Sequence, residues 1–170
     1  MKTIFLSLAL AFSAAGATAI EPPSYGGNWT LDVAQSRDLP PFYVNVKSHR
    51  LTITQDAAHL NVGVDIDAGQ PQPMHTDFPY PLDGSEAHVQ TTLRMPGGPV
   101  RIPTTLRAEM HGDGSVHVTI VRQLPMPDGP VEARMTEDWK LRPDGRTLDI
   151  HMVDDSPRGH HESDYVFVRS

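Results

Sequence analysis

The pattern that most constrains the fold lies in the stretch EARMTEDWKLRPDGRTLDIHMV, residues 132–153. Apolar and polar residues alternate on both sides of the turn sequence at 143–145, which is typical of an antiparallel hairpin with one solvent-facing side. One register satisfies both sides. Its inner pairs are Leu141–Leu148, Trp139–Ile150 and Glu137–Met152, and its outer pairs are Lys140–Asp149 and Asp138–His151. Pattern and charge therefore favour the same pairing.

Similar alternation recurs along the chain between clusters of turn residues, and no long stretch has the period of a helix. The predicted strands are residues 27–32, 43–55, 60–67, 73–78, 86–95, 100–111, 115–124, 131–141, 147–153 and 162–169. No connection is long enough for a parallel crossover. We therefore expect an all-β domain, a single up-and-down antiparallel barrel of eight to ten strands in which closure removes exposed edges. A two-sheet sandwich is the alternative.

Two further hairpins have a preferred register. A three-residue loop at 112–114 puts the apolar residues of both flanking strands on one face, whereas a two-residue loop does not. The resulting pairs are Met110–Val116, Ala108–Val118 and Leu106–Ile120, with Glu109 opposite His117 outside. Between 51 and 66, a single face collects Leu51, Ile53, Gln55, Leu60, Val62, Val64 and Ile66. Each hairpin thus contributes one apolar face to the interior.

The connections between strands sort into two kinds by length and proline content. In an up-and-down barrel, every second connection lies at the same end. One end then collects the long, proline-rich connections: 33–41, 68–73, the two Met-Pro loops that begin at Met95 and Met126, and 154–161. The other end collects the tight connections at 56–59, 83–84, 112–114 and 143–146. The sequence therefore predicts a barrel with a loop-lined mouth and a closed floor.

The N-terminal residues have the features of a secretory signal peptide. A cation at Lys2 precedes an apolar run at 4–12 and the small residues at 17–19, and this order predicts cleavage directly after them. We therefore expect a signal peptide at 1–19, a barrel domain at 20–170, and a bacterial periplasmic or secreted location. The apolar run is too short for a stable membrane anchor, so we expect no membrane insertion after cleavage.

Composition narrows the classes of partner. The chain has no cysteine, which excludes disulfides. Its formal net charge of −7 disfavours nucleic acid, because an acidic surface repels phosphates. A small apolar molecule is the expected partner, and the oligomeric state stays open.

Two short motifs at the ends of the domain resemble those of the lipocalin-like (calycin) barrels. Gly27-Asn28-Trp29 is similar to the family's Gly-x-Trp, and Phe167-Val168-Arg169 supplies an arginine near the end of the last strand. With GGNWTLDVAQS, LTITQDAAHLNV, YPLDGSE and EDWKLRPDGRTLDI, the wider pattern resembles small secreted bacterial lipocalin-like proteins of unassigned function. The resemblance implies a barrel with a ligand cavity, closed below by Trp29 and Arg169. The parity of the connections adds Trp139 to this floor.

Glu137 is the main candidate for chemistry, because it falls on the inner face, where an unpaired carboxylate is costly and shifts toward its neutral form. Fold analogy and the inferred cavity lead to the hypothesis of an exported, non-enzymatic protein that binds a small, largely apolar molecule. The expected ligand-binding residues are Leu51, Ile53, Val62, Val64, Met95, Leu106, Met110, Val118, Met126, Met135, Glu137 and Ile150. Two alternatives stay open: an envelope structural or interaction protein with a filled barrel, and a barrel enzyme that uses Glu137 as acid or base.

The nine histidines suggest a metal-site hypothesis. Asp155, His160 and His161 lie in one predicted mouth loop, and imidazole with carboxylate suits zinc or nickel. Their spacing matches no established zinc motif, and no phosphate-binding or dinucleotide motif is present. We therefore expect neither a metal nor another cofactor, with these three residues as the candidates if a metal binds.

Overall fold

The computed structural model describes residues 23–69, 74–95, 98–157 and 159–170, so the predicted signal peptide lies outside the described residues. The ten strands are β1 Gly27–Leu31, β2 Ser48–Gln55, β3 His59–Asp67, β4 Met74–Pro81, β5 Asp83–Met95, β6 Gly98–Met110, β7 Val116–Leu124, β8 Val131–Leu141, β9 Thr147–Ser156 and β10 Gly159–Arg169. A short 3-10 helix, Pro41–Asn45, lies between β1 and β2. The all-β prediction is confirmed. No helix in the described ranges is long and apolar enough to span a membrane.

The strands form one antiparallel sheet that curls into a nearly closed barrel. Their order is β4-β3-β2-β1-β10-β9-β8-β7-β6-β5, so every strand pairs with its chain neighbours except at β4 and β5, and β1 pairs with β10. The two edge strands, β4 and β5, approach each other, and β4 also contacts β6. Leu82 joins them at one end, where its N–H donates to the Ala58 carbonyl at 2.8 Å and its carbonyl accepts from the Met110 N–H at 3.2 Å. This arrangement confirms the up-and-down barrel over the sandwich.

The predicted registers are confirmed in the three hairpins where the alternation was clearest. β8 and β9 pair Trp139 with Ile150 and Glu137 with Met152. β6 and β7 pair Met110 with Val116, and Gly114 has a positive φ of 83° in their loop. β2 and β3 keep their apolar residues on one face. The agreement follows from the two-residue period, because a shift by one residue would turn every apolar side chain outward.

The predicted start of β2 was wrong. Residues 43–47 were expected to begin a strand, but Pro40 and Pro41 start the 3-10 helix and β2 begins only at Ser48. Proline fixes φ near the helical value and lacks an N–H for a strand ladder, so this segment turns across the barrel instead. The turn buries Tyr43.

Alternate connections lie at the same end of the barrel, as expected, but their lengths do not divide as expected. The connections 56–58, 82, 111–115 and 142–146 lie at the floor, and the connections 32–47, 68–73, 96–97, 125–130 and 157–158 lie at the mouth. The long mouth loop expected at 154–161 was wrong, because the antiparallel pairing of β9 and β10 continues to Ser156 and Gly159. The floor half of the interior is packed with fully buried apolar side chains, including Leu60, Leu106, Val116, Val118 and Leu148. Any space for a ligand must therefore lie in the mouth half.

Candidate functional site

A cavity of about 400 Å³ extends from the mouth into the middle of the barrel. Alternate residues of eight strands face it, because period-two alternation turns every second side chain inward. β8 illustrates the arrangement with Met135, Glu137 and Trp139, and the 3-10 helix adds Phe42 and Tyr43 across the top. The lining is mainly apolar, with a few polar groups among the hydrocarbon surfaces, as is typical of small-molecule sites.

Aromatic side chains are concentrated at this cavity. The chain is only 6% aromatic, yet the lining includes Phe42, Tyr43, Phe78, Tyr80, Trp139, Tyr165 and Phe167. The other two aromatic residues in the described ranges, Tyr25 and Trp29, are buried in the floor. The low aromatic content of the whole chain therefore does not reflect the aromatic content of the cavity lining.

Glu137 is half-buried and points into the cavity. The Trp139 ring N–H donates to its Oε2 at 2.7 Å, and no hydrogen bond from the described residues reaches Oε1. Burial raises the pKa of the carboxyl group, while the Trp139 hydrogen bond and the charge of Arg122 act in the opposite direction. One carboxyl oxygen is thus anchored to the wall and the other is left for an incoming group.

Two further polar residues lie within electrostatic reach of Glu137. Burial and the charge of Glu137 raise the pKa of Tyr80 well above its ordinary value. Arg122 lines the cavity nearer to the mouth, and in the described structure it forms no ion pair with the carboxylate. The site therefore contains a deep carboxyl group and a shallower guanidinium group.

A second polar cluster joins the 3-10 helix to the wall. The Tyr43 hydroxyl and His49 Nδ1 are 2.9 Å apart, and the His49 ring lies edge-on to Phe167 with centroids 5.0 Å apart. Burial lowers the pKa of His49 to about 4, so the imidazole is neutral at physiological pH. His49 Nε2 is buried without a hydrogen-bond partner. This cluster was not predicted from the sequence, although His49 shares the inward parity of Leu51.

The expected ligand-binding residues divide into three groups. Those on the cavity are Leu51, Val62, Val64, Met135, Glu137 and Ile150. Ile53, Leu106 and Val118 are buried in the packed floor half, and Met110 packs against the same core. Met126 is exposed on a mouth loop, and the side chain of Met95 lies outside the described atoms. Parity separates inside from outside, but it does not give the height of a residue within the barrel.

The floor combines the residues expected from the resemblance with one that was not expected. The Arg169 guanidinium lies 4.3 Å from the centroid of the Trp29 ring and donates to the carbonyls of Gly145, at 3.0 Å, and Gly26. Tyr25 packs on Trp139 with centroids 6.2 Å apart. Trp139 therefore forms the boundary between floor and cavity, with Tyr25 below it.

The candidate metal ligands lie in the paired strands β9 and β10 and not in a mouth loop, and Asp155 and His160 form an ion pair. His160 Nδ1 lies 2.7 Å from Asp155, and its Nε2 lies 3.0 Å from Glu162. These carboxylates raise the pKa of His160, and both ring nitrogens are engaged. His161 Nε2 is buried without a hydrogen-bond partner. Across the described ranges, no three His, Cys, Asp or Glu side chains are arranged to hold a metal ion.

Other outer-face histidines also pair with carboxylates, although not always with the expected ones. His117 Nδ1 bonds Asp138 at 2.7 Å, and His151 Nδ1 bonds Asp164 at 2.8 Å. The expected neighbours, Glu109 for His117 and Asp138 for His151, do lie opposite in register. The hydrogen bonds form with the strand on the other side because each strand has two neighbours.

Comparisons with known proteins give no family. No protein-family model matches the chain, and no curated protein matches it. Among solved structures, it is similar to a crystal structure of zebrafish ileal bile acid-binding protein complexed with cholic acid, with a TM-score of 0.45 and 9% identity, covering 86% of this chain and 98% of that chain. By its own strand order and register, the fold of this chain is a nearly closed, ten-stranded, up-and-down antiparallel barrel.

Proposed function

We propose that the protein is exported and binds a small, largely apolar molecule in its barrel cavity. The observation that carries this proposal is the cavity of about 400 Å³ with its mainly hydrocarbon lining. Its volume falls within the roughly 300–1,000 Å³ of small-molecule sites. This space also argues against the alternative of a structural protein with a filled barrel.

Apolar burial supplies the driving force for such binding. Each Å² of apolar surface removed from water contributes about 25 cal/mol, and the aromatic rings of the lining offer large contact areas. Loss of ligand freedom offsets part of this gain.

Tryptophan fluorescence tests the proposal, because the two tryptophans of the chain differ in position. Trp139 lines the cavity, whereas Trp29 lies below it in the floor. In Trp29→Phe, we expect a saturable fluorescence change with an apolar ligand. In the matched variant Trp139→Phe, we expect little change. Absence of any change in the wild type and in Trp29→Phe would overturn the proposal.

A second candidate function uses Glu137 as a general acid or base. The observation that favours it is the raised pKa of a carboxyl group inside a cavity. Native mass spectrometry distinguishes the two functions through the molecules that co-purify with the wild type and with Glu137→Gln. An enzyme would give a substrate in the variant and its product in the wild type, whereas a binder gives the same molecule or a weaker complex.

Export is a separate part of the proposal. It is supported by the cation, apolar run and small residues within 1–19. Expression of the full chain in a bacterium, followed by intact mass measurement of the periplasmic fraction, should give a product that begins at Ile20. A full-length product retained in the cytoplasm would contradict it.

A further inference from the structure

The position of Glu137 determines which polar group a ligand needs. The residue lies near the middle of β8, Val131–Leu141, whereas Arg122 lies two residues from the mouth end of β7, Val116–Leu124. An apolar molecule that fills the cavity therefore lies against the Glu137 carboxyl group with its deep end. Its other end lies near the Arg122 guanidinium group at the mouth. The deep polar contact of the ligand is with Glu137.

A carboxylate oxygen that a ligand shields from water needs a hydrogen-bond donor. Glu137 Oε2 already accepts from Trp139, so Oε1 is the oxygen that needs a donor from the ligand. A buried acceptor left without a donor costs about as much as a lost hydrogen bond, and more if it is charged. A ligand without a donor at this depth is therefore disfavoured.

The surroundings of Glu137 favour a cationic donor over a neutral one. Burial is the main cause of the raised pKa of Tyr43, Tyr80 and Tyr165, and the charge of Glu137 adds to each shift, so these side chains lie within electrostatic reach of the carboxyl group. Aromatic faces attract ammonium groups. A hydrogen bond between an ammonium and a carboxylate is also about twice as strong as a neutral one.

The charges of the lining agree with this preference. Glu137 and Asp154 face the cavity with one arginine, Arg122, and His49 is neutral because its pKa is lowered to about 4. The charged group of the lining at the depth of Glu137 is therefore an anion when it is ionised. A ligand anion would be repelled at the depth of Glu137.

We propose that the natural ligand of this cavity is a hydrophobic amine, whose ammonium group donates to Glu137 Oε1 while its hydrocarbon part fills the apolar space toward the mouth. This inference rests on the proposed binding function and specifies its ligand class. It assigns Glu137 as the residue that determines specificity.

Three probes with the same hydrocarbon chain test the inference: decylamine, decanol and decanoate. Calorimetric titration of the wild type should give the tightest binding for decylamine, about tenfold tighter than decanol, with decanoate weakest. In Glu137→Gln, decylamine should fall to the level of decanol. Glutamine keeps an oxygen that accepts from Trp139, so the wall contact is preserved.

Arg122→Gln is the matched control, because it removes the positive charge of the arginine that lines the same cavity. Decylamine should bind this variant at least as tightly as it binds the wild type, since a repelling cation is gone. Near-ultraviolet circular dichroism checks that both variants are folded. Binding of decanoate above decylamine, lost in Arg122→Gln, would overturn the inference and leave the binding function intact.

Two other outcomes are also decisive. Equal affinity for the three probes, unchanged in Glu137→Gln, would show apolar binding without recognition of the amine and would overturn the inference alone. Absence of binding by all three probes to the folded wild type would overturn both the inference and the binding function on which it rests.

Discussion

Glu137 occupies an inner position of β8, where the alternation of the strand otherwise places apolar residues. The fold accommodates the carboxyl group through the Trp139 hydrogen bond at 2.7 Å and through the open space beside it. A local departure from the apolar pattern at a cavity is expected where a protein recognises a polar group. The residue was identified from the sequence because its register with Met152 required it to point inward.

The raised pKa of Glu137 predicts a pH-dependent stability. Above its ordinary value of 4.5, the unfolded chain has released this proton while the folded protein still holds it, so stability falls as pH rises from 4.5 through the raised pKa. The nearby Tyr43, Tyr80 and Tyr165 stay neutral in this range, because burial raises the pKa of each. Urea denaturation at a series of pH values should show that the unfolding free energy of the wild type, relative to that of Glu137→Gln, falls as pH rises above 4.5. The same pH dependence in both proteins would contradict the prediction.

The lowered pKa of His49 predicts a change of stability with pH that is opposite in sign to that of Glu137. Burial lowers its pKa from 6.5 to about 4, so its contribution to stability is present above 6.5 and is lost as pH falls toward 4, by about 3 kcal/mol in total. In an NMR titration, the His49 ring should stay neutral down to about pH 4, while exposed His160, whose pKa is raised, titrates above 6.5. Titration of His49 near 6.5 would contradict its burial.

The 3-10 helix is the element that most changes the site relative to the sequence-based expectation. Pro41–Asn45 replaces the start of a predicted strand and brings Tyr43 across the mouth onto His49 and Tyr165. No period-two or period-3.6 pattern marks a five-residue helix, and its tertiary contacts come from residues far apart in sequence. The cluster was therefore not predictable from local pattern.

Tyr43→Phe tests how much this helix depends on its polar contact. The variant keeps the ring but leaves buried His49 Nδ1 without a partner, and we expect a loss of about 1–2 kcal/mol in the free energy of unfolding by urea denaturation. Val44→Ala is the control on the same helix, because Val44 is 88% exposed and should change stability little. Equal effects of the two substitutions would indicate that the hydrogen bond does not stabilise the helix.

The hairpin of β8 and β9 shows what sequence pattern predicts well. Its register followed from alternation, a Pro-Asp-Gly turn and opposite charges on the outer face, all of which are local. The division of the interior into a packed floor and an open mouth half was less predictable. Ile53, Leu106 and Val118 share the inward parity of Leu51 but lie in the packed half. The difference depends on how side chains from several strands fill the same level.

At the scale of the whole molecule, the barrel is closed at one end by contacts between the two ends of the described chain. Arg169 of β10 packs on Trp29 of β1 and donates to backbone carbonyls that include those of Gly145 and Ser24. These contacts link β1, β10 and the turn between β8 and β9. The floor thus holds the barrel together, while the mouth half is free to serve as a binding site.

Arg169→Ala should destabilise the protein by about 3 kcal/mol, because it removes the contact with Trp29 and leaves several carbonyls without their donor. Urea denaturation measures the loss, and Arg146→Ala, at an exposed position of the adjacent turn, is the control. Affinity for decylamine should change little under conditions where the variant is folded, because the floor lies outside the cavity. If Arg169→Ala were as stable as Arg146→Ala, the proposed stabilisation of the floor by Arg169 would be contradicted.

The central claim, that a ligand occupies the cavity beside Glu137, is tested most directly by the two indole N–H signals in a proton–nitrogen NMR spectrum. The Trp139 N–H donates to Glu137 at the cavity, and the Trp29 N–H donates to the Tyr25 carbonyl in the floor. On titration with decylamine, we predict a saturable shift of the Trp139 signal and an unchanged Trp29 signal. No shift of either signal, or equal shifts of both, would contradict binding at this site.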